Sequence, residues 1–296
     1  MQFIENIGIG ILKSGFKFWS KTKLPKLEGK IVINGLENEV EVIRDEWGIP
    51  HIYAASIEDV LFAQGFVHAQ DRLWQMEITR RVSRGKLSEF IGEDALDVDR
   101  LSRTLGFERV AKKDIELYED KYHALLQNYC DGINAYINHS GFKLPIEFSL
   151  TKLKPTKWEI LDVLSITRLL NSQMTWGWYD EIVRAKLLEQ HGEEILAELD
   201  NTYLQNTITL PEGIEFKKLN IDKKFKTPKR FMPDISGSNA WCISGDKTDT
   251  GKPYLCNDPH LAITNPNIWY QIHLDCDDLK VTGGSFPGLP LVPIGH

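Results

Sequence analysis

The feature that most constrains this chain is a change of hydrophobic period at Gly237. Before it the apolar residues recur at helical spacing over long stretches; after it they fall into short runs rich in Trp, Tyr, Ile and Val, separated by Gly, Asp and Pro. Ser56 with Asp59 predicts a helix from about Ile57 to Val82, and a second pattern runs from about Glu108 to Asn138, ended by Ser140-Gly141. A third opens at Thr156 with Glu159 as its capping partner and runs, with a break at Gly177, to Gly192. Ahead of these, Ile31 to Ile33, the turn Asn34-Gly35 and the alternation through Val40 and Val42 predict a hairpin, with Arg44 to Pro50 as a loop. Past Gly237, strands are predicted at Asn239 to Ser244, Tyr254 to Cys256, Trp269 to Leu274 and Leu279 to Thr282. Helices first and strands afterwards predict an α+β fold rather than βαβ units. Three regions follow: 1–200, mainly helical; 201–237, a linker rich in Pro, Lys and Thr; and 238–296, strand-rich.

A net charge of −7 argues against nucleic acid as a partner, since phosphate binding needs clustered Lys and Arg. The lysines between Lys217 and Lys229 share their stretch with Pro228 and read as a solvated linker. Cys130, Cys242, Cys256 and Cys276 form no CxxC pair; one disulfide stays open, and Cys242, in a strand-like run, is expected to be a small buried hydrophobe. Residues 1–19 carry Glu5 early and Lys13 and Lys17 late, the wrong order for a secretory signal and too charged for a bilayer span. An amphipathic helix lying on the protein, or weakly on a membrane surface, fits better, and a cytoplasmic location is favoured over secretion.

On bare chemistry, Gly237-Ser238 before a strand is an ordinary turn. Its surroundings change that reading. The blocks RDEWGIPHIYA (Arg44 to Ala54), AQGFVHAQDRLWQME (Ala63 to Glu77), RRVSRGKLSEFIG (Arg80 to Gly92), GSNAWCISG (Gly237 to Gly245), NDPHL (Asn257 to Leu261) and FPGLPLVPIGH (Phe286 to His296) occur in this order. Together they resemble the penicillin acylase family, serine members of the N-terminal-nucleophile (Ntn) hydrolases. The resemblance covers most of the chain. It implies an αββα sandwich of stacked antiparallel sheets, incomplete here, with the helical first part wrapped around it as an arm.

The resemblance also implies a chemistry. The precursor cuts its own chain between Gly237 and Ser238, and the freed α-amine of Ser238 acts as base for its own hydroxyl. Such an amine has a pKa of about 7.7–8.0, which suits a general base. Ser238 would then hydrolyse the amide of an N-acylated small molecule: a penicillin, a cephalosporin side chain or an N-acyl homoserine lactone. His260 falls where members hold the nucleophile's surroundings, which implies a catalytic-site role in orienting the N-terminal serine or contacting substrate rather than relaying protons, with a satisfied turn histidine as the plain alternative; Asn239 would brace the new terminus. Met174, Trp176 and Trp178 fall in the region of the acyl pocket, although such residues more often build a core. Glu181 matches a carboxylate that binds a structural calcium in some members; no cofactor is required for the chemistry. His68, Gln70, Asp71 and Arg72 crowd one turn and are expected to tie helix to sheet, with Asp45 and Trp47 equally architectural.

Precursors of the resembled family are far longer, and their oxyanion-hole donors lie in a later segment. The expectation is a chain that carries the nucleophile without useful activity until the remainder of its β chain is supplied, since one lost donor costs roughly 10²–10³ in rate. The competing reading is an unprocessed, noncatalytic relative acting as a binding module. Processing separates the two.

Overall fold

The computed structural model describes residues 15–175, 177–199 and 237–296. Of the predicted linker at 201–237, residues 201–236 lie outside them, and Gly237 begins a strand. The fold is α+β, with the helix Ile57–Arg84 packed against one face of a mixed sheet.

Helix α1 (Ile57–Arg84) is the central element. Ser56 caps its start, its Oγ accepting the Asp59 N–H at 3.2 Å. Asp59 does not reach back to complete a capping box. Its carboxylate instead accepts the backbone N–H groups of Glu37 and Asn38, at 2.8 and 3.0 Å, and so holds the preceding chain against the helix. Gly85, at φ +62°, ends the helix as a left-handed cap. Helix α2 (Leu96–Leu105) follows. The single pattern predicted from about 108 to 138 is two helices, α3 (Phe107–Leu117) and α4 (Asp120–Ser140). Tyr118 is extended, and Glu119 and Asp120 stand at a helix start, where negative charge meets the positive end of the dipole. Helix α5 (Ile160–Gln173) begins three residues later than its sequence suggests. Glu159 is the N-cap and Asp162 its reciprocal partner, while Thr156 Oγ1 accepts from Arg80 at 3.0 Å. Helix α6 (Gly177–Leu199) is kinked at Gly192.

Helices α1 and α4 meet backbone to backbone. A Cβ on Gly65 would lie 2.1 Å from the Tyr129 carbonyl oxygen, and one on Gly132 would lie 1.8 Å from that of Phe62. Around this crossing, Leu61, Leu73, Met76, Ile133, Trp158 and Ile166 form the main core.

A five-stranded sheet runs β1 (Glu41–Arg44), β2 (Pro50–Tyr53), β5 (Tyr270–Cys276), β6 (Leu279–Ser285) and β7 (Ile294–Gly295) in spatial order. Its first hairpin is not the predicted one. Residues 31–33 form no strand, and Ile31 and Ile33 pack against the helical core instead. The expected loop from Arg44 to Pro50 is the hairpin turn, closed by Asp45 Oδ1 accepting from the Trp47 and Ile49 N–H groups at 2.9 Å each. Strands β2 and β5 pair in parallel, a departure from the all-antiparallel expectation. Alternation sends Ile52, Tyr270, Ile272, Leu274 and Cys276 onto Val60, Ala63 and Val67 of α1.

Strands β3 (Gly237–Ile243) and β4 (Tyr254–His260) form a separate antiparallel hairpin. Cys242 is exposed on it, against expectation, because neither face of this two-stranded ribbon is covered as a sandwich strand would be. All four cysteines are free.

Candidate active site

Ser238 is the second residue of β3, and its residue is exposed. Gly237 before it has φ +105°, a conformation that a residue with a Cβ adopts only under strain, yet nothing lies within 4 Å of where that Cβ would be. The glycine is therefore required by backbone geometry alone and not by crowding. Register sets what Ser238 can reach. It stands opposite Pro259, with Gly237 opposite His260 and Asn239 opposite Asp258. Residues directly opposite share a face and successive residues alternate, so Asn239, Asp258 and His260 occupy one face and Ser238 the other. His260 Nε2 donates to Asp258 Oδ2 at 2.7 Å, and Asn239 Nδ2 approaches the same ring at 3.5 Å. With the Gly237–Ser238 bond intact, His260 thus braces the reverse side of the ribbon and does not point along with the serine hydroxyl.

The other predicted site residues are dispersed. Met174 is the exposed C-cap of α5. Trp176 lies outside the described residues, as does the side chain of Trp178, whose backbone is in the first turn of α6. Glu181 accepts from Arg184 Nη1 at 2.9 Å, one helical turn away. Among the described residues no cluster of three His, Cys, Asp or Glu side chains suits a metal ion. A cavity of about 1020 Å³ opens between residues 26–42 and α1, walled by Ile31, Val40, Phe62 and Phe66; neither Ser238 nor Met174 lines it.

Along α1, the expected helix-to-sheet ties are present and extend further than the sequence suggested. Arg44 makes a two-pronged pair with Asp71, at 2.8 and 3.1 Å, and donates to Gln70 Oε1 at 2.8 Å; the Tyr270 hydroxyl donates to the same Asp71 carboxylate. Arg72, where α1 leaves helical geometry, donates to the Asn267 carbonyl at 3.0 Å. His68 is fully buried and sits in a chain whose direction can be deduced. The Gly288 N–H donates to Tyr129 Oη at 3.0 Å, leaving the Tyr129 O–H to donate to His68 Nδ1 at 2.8 Å. Ser285 Oγ donates to the Tyr270 carbonyl at 2.7 Å, so it accepts from His68 Nε2 at 3.0 Å. That assigns a neutral Nε2–H tautomer. Burial, with a smaller contribution from the nearby Arg72 charge, holds the His68 pKa down to about 3. Tyr129, Ser285 and Gly288 carried no local sequence signal, since their partners lie 61 to 217 residues away.

The family model for penicillin amidase matches residues 39–296. The chain belongs to the penicillin amidase family. A penicillin acylase 2 proenzyme of Pseudomonas sp. (strain SE83) is 37% identical over 282 residues, covering 91% of this chain and 36% of its own length. An acyl-homoserine lactone acylase, QuiP, of Pseudomonas aeruginosa is 29% identical over 283 residues, covering 92% of this chain and 33% of its own. The chain therefore spans about a third of the length of these curated relatives. A thermostable penicillin G acylase from Alcaligenes faecalis aligns in structure with a TM-score of 0.48 at 26% identity, over 60% of this chain and 97% of that one.

Proposed function

We propose that this penicillin amidase family chain carries the processing site and nucleophile of an amide hydrolase, with Ser238 in both roles. The observation that carries the reading is the placement of Ser238: exposed, at the head of a strand, directly after a glycine held at φ +105°. In processing, Ser238 Oγ adds to the Gly237 carbonyl and the C–N bond breaks, leaving an ester and a free Ser238 amine. Water hydrolyses the ester to a Gly237 carboxylate and restores the hydroxyl. The new α-amine, with a pKa of about 7.7–8.0, then takes the Ser238 proton when the hydroxyl attacks a substrate amide. The amine product departs with that proton, and water releases the acid from the acyl-serine.

The names of the relatives favour an N-acylated small molecule as substrate, either a β-lactam with an acyl side chain or an acyl homoserine lactone. Oxyanion donors would come from the remainder of the β chain. His260, bonded to Asp258 beneath the serine, positions the ribbon and moves no proton.

Intact-mass analysis and N-terminal sequencing of the full-length protein, beside a Ser238→Ala variant, tests this. The expected result is a new chain beginning Ser-Asn-Ala-Trp in the wild type and an uncut chain in the variant. An uncut wild type would leave the unprocessed, noncatalytic reading standing.

A further inference from the structure

We propose that residues 15–27 form a peripheral attachment site for an anionic lipid surface. Residues 15–21 are helical, and the helix closes with the Thr22, Lys23 and Leu24 N–H groups bonding back to Trp19, Ser20 and Lys21. At about 100° per residue, Gly15, Phe16, Phe18 and Trp19 share one side, and Lys17, Ser20 and Lys21 share the other. The Phe16 and Trp19 rings meet edge to face at 6.0 Å, so part of the apolar side is already assembled. It is not buried by the fold: Phe18 is 73% exposed, Phe16 50% and Trp19 36%, and beyond the helix Leu24 and Leu27 are 64% and 54% exposed.

Charge adds an independent argument. Lys17, Lys21, Lys23 and Lys26 occur in this stretch, and no Asp or Glu stands between residues 15 and 27. In a chain of net charge −7 this is a local reversal of sign, not general basicity. Opposed aromatic and lysine sides suit a helix lying in the plane of a bilayer interface. The rings enter the acyl boundary while the lysines extend sideways to the headgroups. Nucleic acid would need rings and lysines on the same side. No described helix is long and apolar enough to cross a membrane. The segment is tied to the core where Gln70 Nε2 donates to the Lys26 carbonyl at 3.1 Å, which would hold α1 close to the lipid.

Co-sedimentation of the full chain with vesicles of phosphatidylglycerol in phosphatidylcholine, against phosphatidylcholine alone, tests this. The wild type is expected to bind the anionic vesicles in a salt-sensitive manner and the neutral ones at least about tenfold more weakly. Lys17→Glu/Lys21→Glu and Phe18→Ser/Trp19→Ser should each reduce anionic binding at least about tenfold. Circular dichroism melts matching the wild type would show that both variants remain folded. A wild type left in the supernatant, equal binding to neutral vesicles, or variants that bind like the wild type would each overturn the proposal.

Discussion

Helix α1 and the β3–β4 ribbon are built on opposite principles. Around α1, buried charges are matched several times over. Arg80 contacts Glu77, Asp162, Thr156 and the Lys157 carbonyl and lies 4.7 Å over the Trp158 ring, and Arg84 bridges Glu108 and Asp162 at 3.1 and 2.8 Å. The ribbon has exposed residues on both faces, and its His260–Asp258 pair is open to water. The contrast teaches where each kind of constraint resides. The ties of α1 reach residues on both sides of Gly237 in sequence, directly to Arg44 in β1, Tyr270 in β5 and Ser285 in β6 and, by way of Tyr129 on α4, to Gly288, so a break at Gly237 would leave them untouched. Among the described residues, Ser238 is held by the β3–β4 ladder, and its own residue is exposed.

The largest effect should come from breaking the charge network. Asp162 is fully buried, pairs with Arg80 and Arg84 and caps α5. Replacing it by Ala takes one carboxylate from each guanidinium, leaving Arg80 on Glu77 and Arg84 on Glu108, and removes the Glu159 capping bond; the expected cost is about 3 kcal/mol, the low end for a broken buried pair. On the ribbon, Asp258→Ala removes a partner that is 69% exposed at its side chain, and its effect should be within the small range typical of surface pairs. Urea unfolding of both variants would check the ratio. Comparable losses would mean that the ribbon is as integral to the fold as α1.

The second effect is pH-dependent and belongs to His68. Its folded pKa, about 3, lies below the unfolded value of about 6.5. The unfolded chain therefore binds the proton first as pH falls, so the contribution of His68 is intact above about pH 6.5 and is lost progressively below it. From about pH 7.5 to about pH 5 the wild type should lose about 2 kcal/mol through this residue. His68→Gln, which can still donate to Ser285 and accept from Tyr129, should be less stable at neutral pH and show a shallower acid slope. An unchanged slope would mean that His68 takes up its proton alike in the folded and unfolded chain.

Much of this contrast could be read in advance, and the exceptions share a cause. The α1 start at Ser56 and the strands after Gly237 follow from local rules of capping and period, and the tying role of His68 to Arg72 from their crowding on one turn of the helix. What escaped was decided by residues distant in sequence. Ile31 and Ile33 alternate as a strand would, but the helical core claims them. Thr156 has the chemistry of a cap but is engaged by Arg80, leaving Glu159 to start α5. The face on which His260 lies depends on its register with Gly237, which no single-strand pattern encodes. Ser238 stands out only through the company its block keeps, since a Gly-Ser step has no chemistry of its own.

The smallest effect is also the sharpest test of the ribbon. Gly237→Ala adds one methyl into open space, so sterics with neighbours contribute nothing and only the backbone at φ +105° resists. That resistance is about 1–2 kcal/mol, the ordinary penalty for an L-residue in a left-handed conformation. If processing requires this conformation at Gly237, the Ala variant should be cut about tenfold more slowly. The melting transition should barely move, because the ribbon carries little of the fold's stability. A mass-spectrometric time course and a thermal melt on the same sample read the two quantities separately. Cutting at the wild-type rate would show that the positive φ is not needed in the reacting conformation. A large fall in melting temperature would show instead that the ribbon and α1 stand or fall together.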